Sequence, residues 1–211
     1  WVATGNAILA LGAIPVFADV GEDFNADPYA VEDAVTPRTK AIVPVHFYGR
    51  IAKMVEIMAI ADRHSLRVVE DASQAFGASL DGQPAGSFGD AAAFSLNPMK
   101  PLAALGEAGA VVTPHAEVAE RIRSLRYLGT VDRETCVEPT LNFKIDTIQA
   151  LVLLDRLREV DRSIVARNNV ARRYSEGLSD IVQVPPPDGL NKNAYFDYTI
   201  VCEQRDDLEG A

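Results

Sequence analysis

Short β-branched apolar runs alternate with amphipathic stretches through residues 1–128, the pattern of strand and helix units laid around a mostly parallel sheet. The runs AIPVFADV (13–20), KAIVPVHFYG (40–49), LRVVEDA (66–72), AAAFSL (91–96) and AGAVVT (108–113) predict strands. Their nearly continuous hydrophobicity suits strands covered on both faces. The stretches between them carry helix signals. ATGNAILALG ends in Gly12, suited to the left-handed residue after a last helical turn. Asp27 before Pro28 is a cap followed by a first-turn proline, and MVEIMAIADRH repeats apolar residues at helical intervals. Thr113 and Pro114 open a further helix whose acids, Glu117 and Glu120, precede the bases Arg121, Arg123 and Arg126, the order a helix dipole favours.

After Leu128 the texture changes. Residues 129–144 are polar and turn-prone, and Asp146 with Gln149 then forms a capping-box spacing ahead of a long helix. Ile148, Leu151, Leu154, Leu157, Val160 and Ile164 predict a packing stripe on that helix, opposite a wet face of Asp155, Arg156, Arg158 and Glu159. VPPPDG (184–189) reads as a linker, and AYFDYTIV (194–201) as a strand of a second, smaller unit. The resulting division is a large domain over 1–145, a connecting helical region over 146–183 and the start of a small domain over 184–211. A chain that opens at Trp1 without an initiator methionine, directly in structured-looking sequence, reads as a fragment.

With 48% hydrophobic and 24% charged positions among 211 residues, the chain can bury a real core. Its net charge of −10 argues against a nucleic-acid binder, which needs a surplus of Lys and Arg on some face. A charged small-molecule substrate remains compatible, because a local pocket can oppose the global sign. Cys136 and Cys202 are far apart, and His46, His64 and His115 are scattered, so neither a metal site nor a disulfide framework is expected. Without a signal peptide or a membrane-length apolar run, the reading is a soluble, cytoplasmic protein.

Chemistry in open α/β sheets collects at the carboxyl ends of strands. Asp71 ends one predicted strand, followed by small residues and Gln74. Ser95 ends another, and Lys100 lies five residues on, a lone amine in the least charged part of the chain. A carboxylate, an amide, a hydroxyl and an amine would therefore share one rim. Pyridoxal phosphate needs this set: a lysine to bond its aldehyde, an acid to keep the pyridine nitrogen protonated, and donors for its phosphate. Taken singly, each residue has an ordinary alternative. Asp71 suits a helix cap, Ser95 a backbone contact, Gln74 a solvated helix face, and Trp1 a core or interface position. His46 reads as a hydrogen-bonded structural histidine, and Glu107 as a residue shaping the turn after the lysine loop.

WVATGNAILALGAIPVFADV, PVHFYGR, VVEDASQAFGA, GSFGDAAAFSLNPMK and LGEAGAVVT, in this order, resemble the pyridoxal-phosphate-dependent sugar aminotransferases of the DegT/StrS family. The resemblance covers nearly the whole chain and is strongest from residue 1 to about 127. It implies a fold type I aminotransferase, with a large cofactor-binding domain and part of a smaller α+β domain. It implies that Lys100 forms the Schiff base and Asp71 pairs with the pyridinium nitrogen. Gln74 would reach the phenolic oxygen, Ser95 the phosphate, and Trp1 would stack on the ring. In EPTLNFKID, Asn142 matches an asparagine that reaches the phosphate of a neighbouring subunit, which implies a homodimer with a shared site. Thr140 and Lys144 depart from the family's usual glycine and frequent arginine there. A phosphate-binding turn is expected before Trp1, and the rest of the small domain after Ala211. The implied reaction moves an amino group from glutamate or glutamine to a keto-sugar, most often nucleotide-linked, with a cyclitol or an aromatic precursor as further acceptors. Alternatives are a sugar dehydratase of the same family, in which a histidine replaces the lysine, and a cofactor-holding regulatory protein without turnover.

Overall fold

A computed structural model describes residues 1–187, 189 and 191–206. In chain order the elements are α1 (Val2–Ala10), α2 (Pro28–Asp33), β1 (Ala41–Ile42), α3 (Met54–His64), β2 (Arg67–Asp71), the hairpin strands β3 (Ser79–Leu80) and β4 (Gln83–Pro84), β5 (Ala91–Ser95), β6 (Gly109–Val112), α4 (Ala116–Leu125), α5 (Thr147–Leu157) and α6 (Val160–Leu178). The main sheet runs β1-β2-β5-β6, parallel except for its last pair. This is the expected α/β architecture with a mostly parallel sheet flanked by helices. Among the described residues no helix is long and apolar enough to cross a membrane.

Side chains alternate along β2: Val68 and Glu70 are buried while Arg67 and Val69 are exposed. Val68 joins Ile42 of β1, Met54, Ile57 and Ile60 of α3, and Ile164 of α6 in one apolar core. The α3 segment earns its place there through apolar residues spaced three and four apart, which put Met54, Ile57, Ile60 and Ala61 inside. The opposite face of the sheet is set by register. Asp71 pairs with Ala93, and Ala93 and Ser95 pair with Val111 and Gly109, so Asp71, Ala93 and Ser95 point to the same side.

Several expectations are met at their ends and not in their length. Asp27 caps α2 by accepting from the Tyr29 N–H at 3.2 Å, with Pro28 in the first turn, and Gly12 follows α1 at φ 72°. The run 13–20 is not a strand: Ile14, Val16 and Phe17 are 80%, 70% and 82% exposed, and its pairing is one bridge, Val20 to Ala26. An apolar sequence makes a strand only where a neighbour takes up its backbone hydrogen bonds along its length, and among the described residues that happens here only at the ends of the run. In the run 40–49 the ladder is interrupted. Pro44 has no N–H to give, pairing resumes with a bridge from Val45 to Asp71, and the chain then turns through a 3-10 segment, Phe47–Gly49. The run 194–201 also forms no strand, although Ala194 N and Phe196 N donate to the carbonyls of Gly49 and Tyr48 at 2.8 and 3.0 Å.

The long helix expected after Asp146 is two helices. Its predicted stripe steps by three residues from Ile148 to Val160, and each such step turns the side chain back by about 60° in an α-helix. A straight helix would therefore carry Ile148 and Ile164 on different faces. The break between α5 and α6 leaves Val160 and Ile164 in the core, with Ile148, Leu151, Leu154 and Leu157 exposed. The cap itself forms: Asp146 accepts from the Gln149 N–H at 2.9 Å. Finally, α4 starts at Ala116, because the Thr113 hydroxyl first accepts from the His115 N–H in a local turn.

Candidate active site

The carboxyl ends of β2 and β5 bring Asp71 and Ser95 onto one face of neighbouring strands, two residues apart in register. After Ser95 the chain enters a tight loop. The Ser95 hydroxyl accepts from the Asn97 N–H at 3.4 Å, Asn97 Oδ1 from the Met99 N–H, and the Asn97 carbonyl from the Lys100 N–H at 2.9 Å. Glu107 closes this loop by accepting from Asn97 Nδ2 at 2.7 Å, the turn-shaping part expected of it. Gln149 Oε1 accepts from the N–H groups of Leu105 and Gly106 at 2.8 and 3.0 Å, so the residue expected to complete a capping box instead pins the far end of the lysine loop.

Among the described residues Asp71 pairs with no cation. Its Oδ2 accepts from the Thr4 hydroxyl at 2.6 Å and its Oδ1 from the Ser73 N–H at 3.1 Å. Lys100 likewise has no carboxylate partner among the described residues; its half-buried ammonium lies 4.3 Å from the centre of the Phe196 ring. A carboxylate and an amine at one rim, neither neutralised by the other, are a donor set that a third group carrying both a basic nitrogen and an electrophile would satisfy.

Gln74 is buried, and its Oε1 accepts from the Tyr48 N–H at 2.6 Å. That contact fixes the amide orientation and leaves Nε2, a donor, for whatever occupies the site. Tyr48 reaches this position in a left-handed backbone conformation, φ 56°, and Gly49 follows at φ 88°. A side chain on Gly49 would bring its Cβ within 2.8 Å of Tyr195 N, so the glycine is what lets the 194–196 segment cross closely enough to seat Phe196 over Lys100.

Behind the rim sits a buried polar cluster. Glu70, with no exposure, accepts from His46 Nε2 at 2.8 Å and from the N–H groups of Gly86, Phe88 and Gly89 at 2.8, 2.8 and 2.7 Å. His46 Nδ1 accepts from the Ala52 N–H at 3.2 Å, so Nε2 carries the proton given to Glu70. Burial pushes the Glu70 carboxyl up, but the hydrogen bonds from His46 and from the Gly89 and Gly86 amides outweigh it and hold the group below the usual glutamate range. His46 is thus the structural histidine expected, tying the 46–52 segment to β2.

Trp1 stands 70% exposed at the start of α1, three residues before Thr4. Asn142 is exposed on the 127–144 loop, its Oδ1 accepting from the Lys144 N–H at 3.0 Å, and among the described residues it has no hydrogen bond to Asp71, Gln74, Ser95 or Lys100. Two contacts were invisible in the sequence. Phe196 lay in what read as a strand of another unit, and Thr4 in the middle of a helix; nothing local marks either, because both meet their partners through long-range packing.

The family model described as the DegT/DnrJ/EryC1/StrS aminotransferase family matches residues 1–210. The chain belongs to this family. It is 43% identical over 209 residues to a protein of Micromonospora megalomicea subsp. nigra named dTDP-3-amino-3,4,6-trideoxy-alpha-D-glucose transaminase, covering 96% of this chain and 56% of that protein. Among solved structures, DesV of S. venezuelae in complex with a ketimine intermediate superimposes with a TM-score of 0.95 at 39% identity, over 100% of this chain and 57% of that one. NtdA of Bacillus subtilis, with bound cofactor PMP, gives a TM-score of 0.90 at 31% identity, over 99% of this chain and 49% of that one. The fold is therefore that of these aminotransferases, and the chain spans about half the length of the relatives it matches.

Proposed function

We propose that the protein is a pyridoxal-phosphate-dependent aminotransferase that moves an amino group from glutamate or glutamine to a nucleotide-linked keto-sugar, at a site shared between two copies of the chain. The observation that carries this reading is the rim itself: Asp71 and Lys100, each without a counter-charge among the described residues, beside Ser95 and the amide donor of Gln74. When bound, pyridoxal phosphate supplies an aldehyde that condenses with amines and a protonated ring that takes up the electron pair released at the substrate's Cα.

Each residue then has a defined task. Asp71, oriented by the Thr4 hydroxyl and the Ser73 amide, would hold the proton on the ring nitrogen. Lys100 is the amine that would hold the cofactor by its aldehyde and, when free, would move the proton from Cα to the C4′ carbon as base and then as acid. Gln74 Nε2 would donate to the phenolic oxygen and Ser95 to the phosphate, and Trp1 at the start of α1 would stack on the ring. Asn142, exposed on the 127–144 loop and without a hydrogen bond to the rim residues of its own chain among the described residues, would reach the phosphate held by the second copy. The Phe196 ring, its centre 4.3 Å from the Lys100 nitrogen, holds that side chain at the rim.

The test uses the protein expressed from its whole reading frame. Borohydride reduction of the cofactor-loaded protein should place a stable label on Lys100, found by peptide mapping, and glutamate should drive amino transfer to a nucleotide-linked keto-sugar. A label on another lysine, or full turnover by Lys100→Ala, would overturn the proposal.

A further inference from the structure

Lys100 stands at the middle of a loop closed at its neck, where the Ala104 N–H donates to the Leu96 carbonyl at 2.8 Å. The near leg of this loop is shaped by its own residues: Asn97 Oδ1 accepts from the Met99 N–H and the Asn97 carbonyl from the Lys100 N–H, both at 2.9 Å. Bonds of that kind set the shape of a turn but not where the turn sits against the rim. The far end is held from outside. On α5, Gln149 Oε1 accepts from the Leu105 and Gly106 amides at 2.8 and 3.0 Å, and Arg156 Nη1 donates to the carbonyls of Ala103 and Ala104 at 2.7 and 3.3 Å. Four consecutive residues thus each give a backbone group to one of two side chains seven positions apart, a spacing of two helical turns that puts both on one face of α5. The cap of α5 serves the same grip, because Asp146 accepts from the N–H of Gln149 itself at 2.9 Å and so fixes the turn from which that side chain reaches.

We propose that Gln149 and Arg156 are positioning residues for the Lys100 amine, so that α5 sets where that amine meets its electrophile. That the electrophile is the cofactor's aldehyde rests on the aminotransferase reading above; the grip itself does not. The two contacts are opposite in kind, one acceptor serving two amides and one cation serving two carbonyls, so a slide of the loop along α5 in either direction stretches bonds that weaken steeply with distance and angle. Reaction is more sensitive still: a misplacement of about 1 Å between reacting groups can cost about a hundredfold in rate. Neither side chain touches the amine, and both act through the backbone that carries it. The Leu105 contact is exposed, so water can replace a lost partner there, and cutting the grip should free the loop while leaving the fold.

The experiment uses protein expressed from its whole reading frame and freed of cofactor. Its first readout is the rate of capture of added pyridoxal phosphate, the amine condensing with the aldehyde and releasing water, followed by visible absorption. Gln149→Leu and Arg156→Met should each slow capture about tenfold. Gln149→Glu keeps the acceptor and Arg156→Lys keeps a donor, so both should stay within about twofold of the parent, as should Arg158→Met at the exposed end of α5. The second readout needs no cofactor: reductive methylation with formaldehyde and cyanoborohydride, scored by peptide mapping as Lys100 against the exposed Lys40. Gln149→Leu and Arg156→Met should raise this ratio about threefold as the freed loop draws the amine off the Phe196 ring, and the conservative pair should not. Capture at the parent rate by both Gln149→Leu and Arg156→Met, or slow capture that Gln149→Glu and Arg156→Lys fail to restore, overturns the proposal. If one of the disruptive variants does not fold, the other carries the comparison; if neither folds, α5 merely sustains the fold and the proposal is overturned. A parent that takes no label at Lys100 removes the aminotransferase reading, and the methylation ratio then decides alone: raised and restored as above it keeps the grip, and equal throughout it overturns it.

Discussion

Glu70→Gln preserves the shape of the side chain and changes only its charge and one of its acceptors. In the parent, Oε1 takes the Phe88 and Gly89 amides and Oε2 takes His46 Nε2 and the Gly86 amide. Whichever way the new amide turns, its NH2 faces two donors that have lost their acceptor. His46 offers no escape: moving its proton to Nδ1 would set that proton against the Ala52 N–H, which Nδ1 now accepts. Each buried donor left unsatisfied costs about 1–3 kcal/mol, so the substitution should destabilise by about 2–6 kcal/mol, a large share of the roughly 5–15 kcal/mol of a typical domain. Urea denaturation at neutral pH reads this as a lowered midpoint at unchanged slope.

The same experiment has an acid arm. The folded-state pKa of Glu70 lies below its unfolded value of 4.5, so its contribution is complete above that pH and is lost as pH falls through the folded value. The gap between parent and Glu70→Gln should therefore narrow on acidification below about pH 4.5. A midpoint within error of the parent at neutral pH, or a gap that widens in acid, would refute the reasoning.

Two further outcomes follow from named contacts. Gly49→Ala places a Cβ 2.8 Å from Tyr195 N at φ 88°, so the 194–196 segment must withdraw; amide hydrogen exchange at Ala194 and Phe196 should accelerate and stability fall by about 1–3 kcal/mol, and unchanged protection would sink the prediction. Thr4→Val removes the 2.6 Å hydrogen bond to Asp71 Oδ2 without changing side-chain shape, and kcat/KM should drop about tenfold while the urea midpoint moves little; normal turnover would show that Asp71 needs no support from α1.

Most of what locates the rim was legible in the order of residues. Asp71 and Ser95 end strands that form where their apolar runs stand, and α3 occupies the stretch whose periodicity announced it. Strand predictions failed where the partner decided the matter. The run 13–20 is as apolar as the run 91–96, but β5 has β2 and β6 on either side while 13–20 has one bridge. The direction of β6 was equally hidden: its residues suit either orientation, and the segment joining it to β5 holds no helix to carry a parallel crossover.

By itself the sequence determined the local elements with strong periodicity and the caps at Asp27 and Asp146, because these depend on a residue and its near neighbours. Only the tertiary structure decided which groups meet: Thr4 on Asp71, Phe196 over Lys100, and Gln149 on the lysine loop. Such contacts join residues up to 96 positions apart, and the free energy that selects them comes from burial and hydrogen bonding summed over the whole fold rather than from any one segment.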